Sequence, residues 1–289
     1  MTTARPTFQA PFVTSDSALL RGVVVVRPTA AHALVRPVYG ESNAITERAL
    51  EQYGVLLGRL SARGIKTIEA EPTEGLPTSA FCSDGAVLFA DGAFLMRPSD
   101  LSRRGEIAPL EAVLARANVP IVGRIEAPGL LDGGDVIVAG DTLFIAVSTP
   151  RRSEQGIAVS GHGNALGREA LAAHARGLGL RVVEVSVAAE VRRLRSVASL
   201  VDERTILYAR DLVDGAGFAG FETIVAPRGE DYGAGVLALG QRRVLANLRF
   251  RETIPRLRAA KFAVDAIDLW EFGKIGATPS SMVLALKRG

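Results

Sequence analysis

The feature that most constrains this 289-residue chain is a recurring hairpin followed by a helical stretch and a further apolar strand. Asp91-Gly92 separates Ala86-Val87-Leu88-Phe89-Ala90 from Ala93-Phe94-Leu95-Met96. Asp-Gly supplies the positive φ that a two-residue hairpin turn needs. Gly140-Asp141 does the same between Val136-Ile137-Val138-Ala139 and Leu143-Phe144-Ile145-Ala146. Two more hairpins are predicted, 198–201 with 205–208 and 236–239 with 243–246. Helical stretches follow at 107–117, 168–176, weakly near Phe218, and at 252–260. Closing strands follow at 120–122, 180–185, 223–225 and 262–267. A split copy completes the set: strand 22–26, a helix over 43–62 capped by Asn43 and ended by Gly64, strand 65–68, and the C-terminal strand 282–286 as the missing hairpin partner. The pattern predicts an α/β chain of five β-β-α-β units, radial or stacked, closed by its two ends.

This array reads as one domain over 18–289, after a loose, flexible leader over 1–17. The one irregular insertion, Ser148 to Gly161, is polar and Gly-rich and is a candidate flap over a pocket. Composition narrows the function classes. Aromatic residues make up only 6%, too few for a base-stacking platform. A net charge of +3 comes from basic residues interspersed with acidic ones, so no nucleic-acid footprint is expected. One Cys and three His argue against a disulfide framework and a metal centre, and no metal-ligand spacing is present. No apolar run approaches a membrane span. The series Gly161-x-Gly163-x-x-x-Gly167 has the wrong spacing for a dinucleotide loop, and no cofactor is expected. A cytoplasmic protein in a reducing compartment is the default reading.

Specific residues now meet the pattern. Five segments stand out: Leu76 to Asp84, Arg97-Pro98 with Ser102-Arg103-Arg104-Gly105-Glu106, Leu131-Asp132-Gly133-Gly134-Asp135-Val136, Asn164 to Leu171 and the tail Gly276 to Ser281. Together they resemble the dimethylarginine dimethylaminohydrolases and their arginine deiminase and amidinotransferase relatives. The resemblance implies the pentein fold, a five-bladed α/β propeller of ββαβ repeats around a polar pocket, in agreement with the repeats.

What the resemblance implies about chemistry is mostly missing. Such enzymes attack a guanidinium carbon with a thiolate, helped by a His that moves protons. The nucleophile position falls on Ser280, and the His position on Arg193, which stays protonated and cannot act as a base. Of the guanidinium-holding acids, the first matches Thr78, the second Ser83, and only Asp84 remains. Arg103 keeps a carboxylate-binding position; the second such position falls on Arg152 or His162. Phe81 and Asp132 complete the expected pocket, with Asp135 as a structural neighbour. Strand alternation would put Cys82 and Asp84 on one face, with Cys82 either an inert core thiol or a displaced nucleophile. His32 and His174 read as solvated or structural.

Exchanging attraction for repulsion at several positions should reject free guanidinium, since unit charges 4 Å apart interact by about 4 kcal/mol at an effective dielectric near 20. Three readings stay open. The protein binds a small carboxylate-bearing, amino-acid-like ligand without thiol catalysis. Or it is a divergent enzyme doing acid/base work on a C–N bond through Asp84, Ser280 or His162. Or it is a structural or partner-binding protein with a filled pocket. Whether it is an enzyme is thus left undecided by the sequence, and the expected partners are a small molecule and a second copy in a homodimer.

Overall fold

The computed structural model describes residues 6–38, 42–148, 151–152, 158–159 and 162–289. Five three-stranded sheets carry the fold, and each is one blade. Ala86–Leu88 runs antiparallel to Ala93–Leu95, which runs parallel to Ile121–Arg124. The same order recurs in Val136–Ala139, Thr142–Ser148 and Arg181–Val187. It recurs again in Ala198–Leu200, Thr205–Tyr208 and Glu222–Val225, and in Leu237–Gly240, Arg243–Asn247 and Ala263–Ile267. The first blade is the split one. Leu20–Val26 pairs antiparallel with Leu284–Arg288 and parallel with Lys66–Ala70.

The strands that open the hairpins are short and wholly buried, which explains their unbroken apolar runs. Successive side chains point to opposite faces, and here both faces meet a neighbouring blade. Val23 and Val25 pack with Leu237, Leu245 and Phe272 of the last blade, while Val24 and Val26 pack with Leu88 and Leu95 of the second. Val136 and Val138 join Val87 and Phe94, while Ile137 joins Ala198 and Ile206. Val201 and Leu207 meet Val236 and Val244. The hydrophobic core is therefore a set of wedges between blades.

Helices Thr46–Ala62, Ile107–Arg116, Ala165–Gly177 and Thr253–Ala259 stand where the repeats predict them; the third unit has only the 3-10 turn Gly215–Phe218. Three expectations need correction. The first helix begins at Thr46 with Ile45 at its cap, and the Ile45 amide donates to the Glu271 carboxylate at 2.7 Å, so Asn43 does not cap it. Cys82–Asp84 is a 3-10 turn, so strand alternation does not govern those side chains.

The third correction concerns the leader, which packs from Phe8 onward. The amides of Phe12 and Val13 donate to the carbonyls of Ala90 and Phe89, and that of Asp16 donates to Val138. Arg288 and Gly289 donate back to Phe12 and Leu19. Residues 8–19 thus form a strap across the far ends of the hairpin-opening strands. Of the expected flap, Ser148 ends the strand Thr142–Ser148 and Arg151–Arg152 pairs with Ala158–Val159; 149–150, 153–157 and 160–161, and the Arg152 side chain, lie outside the described residues.

Candidate functional site

The segments that immediately precede the hairpin-opening strands gather at the end of the propeller opposite the strap. They are Cys82–Asp84, Gly133–Asp135, Leu194–Val197 and Asp231–Ala234, with 275–281 in the split blade. A cavity of about 370 Å³ opens there, walled by Thr78, Phe81, Asp84, Arg103, Arg193 and Ser281 among others. Asp100, Glu190 and Arg192 stand exposed around it.

Two guanidinium groups of the wall meet Asp84, which lines the cavity, and Glu106 and Asp132, which stand behind it. Arg103 pairs with Asp84 and, through Nε at 3.2 Å and Nη2 at 2.6 Å, with Glu106. Its Nη2 also donates to the carbonyls of Phe81 and Thr78. Arg193 stretches across the floor. Its Nε donates to Asp84 Oδ2 at 3.1 Å, its Nη2 to Asp132 Oδ1 at 2.7 Å, and its Nη1 to the Arg192 carbonyl at 2.6 Å. The Gly134 amide donates to Asp84 Oδ1, and the Ser99 amide to Asp132 Oδ2. The Gly-Gly pair makes room for this. A Cβ on Gly134 would collide with Asp84 and crowd the Arg193 stem, and one on Gly133 would collide with the Ser83 carbonyl.

The charges sort unequally. Burial alone would raise the Asp84 carboxyl, but Arg193 and Arg103 outweigh it and hold it below the usual carboxylate range. Asp132 is fully buried; desolvation pushes it up to about 6 against the pull of Arg193. Burial likewise raises Glu106 despite Arg103. Both arginines are held protonated by the carboxylates around them, although burial works the other way.

Other sequence-predicted residues fall in and out of this cluster. Thr78 lines the cavity and donates to Glu106 at 3.4 Å, and Phe81 lines it beside Thr78. Ser83 is buried with its hydroxyl unpartnered, outside the cavity wall. Ser280 is also absent from the wall. Its hydroxyl donates to the Arg195 carbonyl at 3.0 Å, and its neighbour Ser281 faces the cavity. His162 is fully buried with Nδ1 2.6 Å from Asp135 Oδ1, which also accepts from the Leu194 amide. Cys82 Sγ lies 3.4 Å from the carbonyls of Val24 and Met282, away from the cavity, and burial pushes its thiol up to about 12. His32 is buried against Phe81 and Phe272, and burial lowers its affinity for a proton. His174 is part-buried beside Asp91.

Glu106 and Ser281 are among the contributors that sequence reasoning missed, with Ser99, Asp100, Glu190, Arg192 and Ser196. The Arg103-x-x-Glu106 spacing, which suits a pair across one helical turn, was the available signal for the first. No cluster of acidic, His or Cys side chains suited to a metal occurs among the described residues. No helix there is long and apolar enough to cross a membrane.

No family model matches the chain. A dimethylarginine dimethylaminohydrolase from Streptomyces coelicolor is 32% identical over 239 residues, covering 83% of this chain and 86% of that protein. Among solved structures, a mutant dimethylarginine dimethylaminohydrolase from Pseudomonas aeruginosa complexed with citrulline superposes with a TM-score of 0.81 at 24% identity, covering 92% of this chain and 99% of that one. An amidinotransferase of Microseira wollei, from saxitoxin biosynthesis, gives 0.79 at 15% identity, covering 96% and 97%. Five blades of this topology around a polar cavity are those of an α/β-propeller of the pentein class. Within that class the identity and coverage are decisive: the chain belongs to the dimethylarginine dimethylaminohydrolase family.

Proposed function

We propose that this member of the family has lost thiol-dependent guanidine hydrolysis and binds a small carboxylate-bearing, amino-acid-like ligand in the central cavity. The observation that carries the reading is the position of Arg193, at the place the motifs give to a His, with its guanidinium bound between Asp84 and Asp132. A protonated guanidinium takes up no proton from a nucleophile. The only sulfur nucleophile, Cys82, is buried behind the wall with its thiol at about 12, so thiolate is scarce at neutral pH.

The charge arrangement favours an acceptor. Three of the five Arg193 N–H groups are used among the described residues, and both Nη atoms keep one for a ligand oxygen. Thr78, Ser99, Ser196 and Ser281 lie along the same wall, with the hydroxyls of Thr78, Ser196 and Ser281 donating to Glu106 and to the carbonyls of Gly276 and Thr278. Arg103 is engaged by Asp84 and Glu106, so its role in this reading is to hold Asp84 in place and line the cavity. A volume of about 370 Å³ suits an amino acid, and it argues against a filled pocket. A cytoplasmic protein, monomeric or paired with a second copy, is part of the same reading.

Thermal-shift measurements with amino acids and small carboxylates test it. A rise in Tm with a neutral or acidic amino acid, and no citrulline released from arginine or dimethylarginine above a no-enzyme blank, is the expected result. Citrulline release would overturn it. A second reading, acid/base chemistry on a C–N bond without a thiol, would draw on Asp84, the buried carboxylate that lines the cavity. Ammonia or amine release from the stabilising ligand, abolished by Asp84→Asn, would select it.

A further inference from the structure

We infer that Arg193 is a tethered guanidinium ligand of its own protein, and that vacating it turns the Asp84–Asp132 pair into a receptor for a free guanidinium compound. The inference rests on the reading that the cavity excludes cations, and it names the residue that excludes them. Four observations carry it. The Arg193 head is clasped on three sides, by Asp84, Asp132 and the Arg192 carbonyl. Both carboxylate side chains are nearly inaccessible, 3% and 0% exposed, so they have little water to fall back on. Arg193 lines the 370 Å³ cavity, so a shortened side chain leaves a seat open to incoming molecules. The acids are also unequally supported. Asp84 retains Arg103 when Arg193 is gone, whereas Arg193 is the sole ion-pair partner of Asp132 among the described residues.

A buried carboxylate stripped of its partner either takes up a proton or recruits a cation. A planar guanidinium restores the lost geometry because it presents paired N–H donors, which a point-like ammonium does not. Specificity would therefore invert at one position. The native protein offers N–H groups to an acceptor, while the truncated one offers carboxylate oxygens to a donor.

The test uses the full chain, with methylguanidinium chloride as the probe and methylammonium chloride at equal concentration as the control. Arg193→Ala should gain on the order of 5 °C in Tm with the probe at a hundred-fold excess over its dissociation constant. Native protein and Arg193→Met, which keeps the bulk without the charge, should gain nothing beyond the control. Asp132→Asn added to Arg193→Ala should abolish the gain. Equal stabilisation of native protein, or none of Arg193→Ala, overturns the inference. The absence of any shift of native protein with carboxylates would instead overturn the proposed function. Should Arg193→Ala not fold, arginine side-chain NMR of the native protein decides. A protected Arg193 Nε–H signal unmoved by methylguanidinium supports the tethered ligand, and rapid exchange or displacement by the probe refutes it.

Discussion

The two ends of the propeller both bury arginine beside aspartate, but they use the pair differently. At the cavity end, Arg103 and Arg193 share Asp84 and reach Glu106 and Asp132, with an open volume above them. At the strap end, Asp16 pairs with Arg195, accepts the Val138 amide, and lies in a segment tied down by backbone hydrogen bonds and the rings of Phe8 and Phe12. Buried Arg288 donates there to the carbonyls of Ala18 and Ala238, and desolvation lowers its pKa to about 10. Both ends pair charge with charge and with backbone, but one keeps an open volume beside the pairs and the other fills it. The comparison separates groups that border an open cavity from groups that close a fold.

The sharpest way to break that contrast is Asp84→Ala. It leaves two buried guanidiniums without their shared counter-ion and should cost about 3–5 kcal/mol in urea denaturation, along with ligand binding. Phe12→Ala attacks the other end. Truncating this buried ring should cost about 3 kcal/mol while leaving ligand affinity unchanged, read by the same denaturation and by titration calorimetry. A strap mutation that abolished binding would erase the distinction.

A smaller effect sharpens the cavity end alone. Asp132 in the folded protein titrates at about 6, above its ordinary 3.8, so it holds a proton that the unfolded chain has released. Its contribution to stability is full below about pH 4 and falls as pH rises to 6. Asp84 has the opposite sign: its contribution is present at neutral pH and is lost in acid as pH falls through its depressed pKa. Asp132→Asn should therefore flatten the stability profile between pH 4 and 6 and leave the acid limb intact. An unchanged slope between pH 4 and 6 would show that Asp132 does not titrate there.

The fold was legible because its signals are local. Gly140-Asp141 fixes its hairpin through backbone geometry, with Gly140 at φ +66°, whereas the hairpin after Leu88 closes over Ala90-Asp91, one residue earlier than Asp91-Gly92, with the Phe89 amide donating to the Gly92 carbonyl; the apolar runs beside both turns report burial on both faces. The strap was not legible. Its stability comes from hydrogen bonds to Phe89, Ala90 and Val138, far away in sequence, and no local periodicity encodes them. Asn43 misled for the same reason, since the carboxylate serving that helix start comes from Glu271. At the site, motif order brought Asp84, Asp132, Arg103 and Arg193 into view. It could not foretell that Arg193 would span the two aspartates, because that depends on how adjacent blades are set. Nor could it separate Ser280 from Ser281, where one residue of offset decides which residue lines the cavity.

The split first blade has a consequence for assembly. Leu284–Arg288 seals the ring against Leu20–Val26, and the segment just before it, 275–281, supplies the last wall of the cavity. During synthesis on a ribosome the other four blades have all their strands in hand before this seam can zip. Cavity and ring are therefore finished in a single late step.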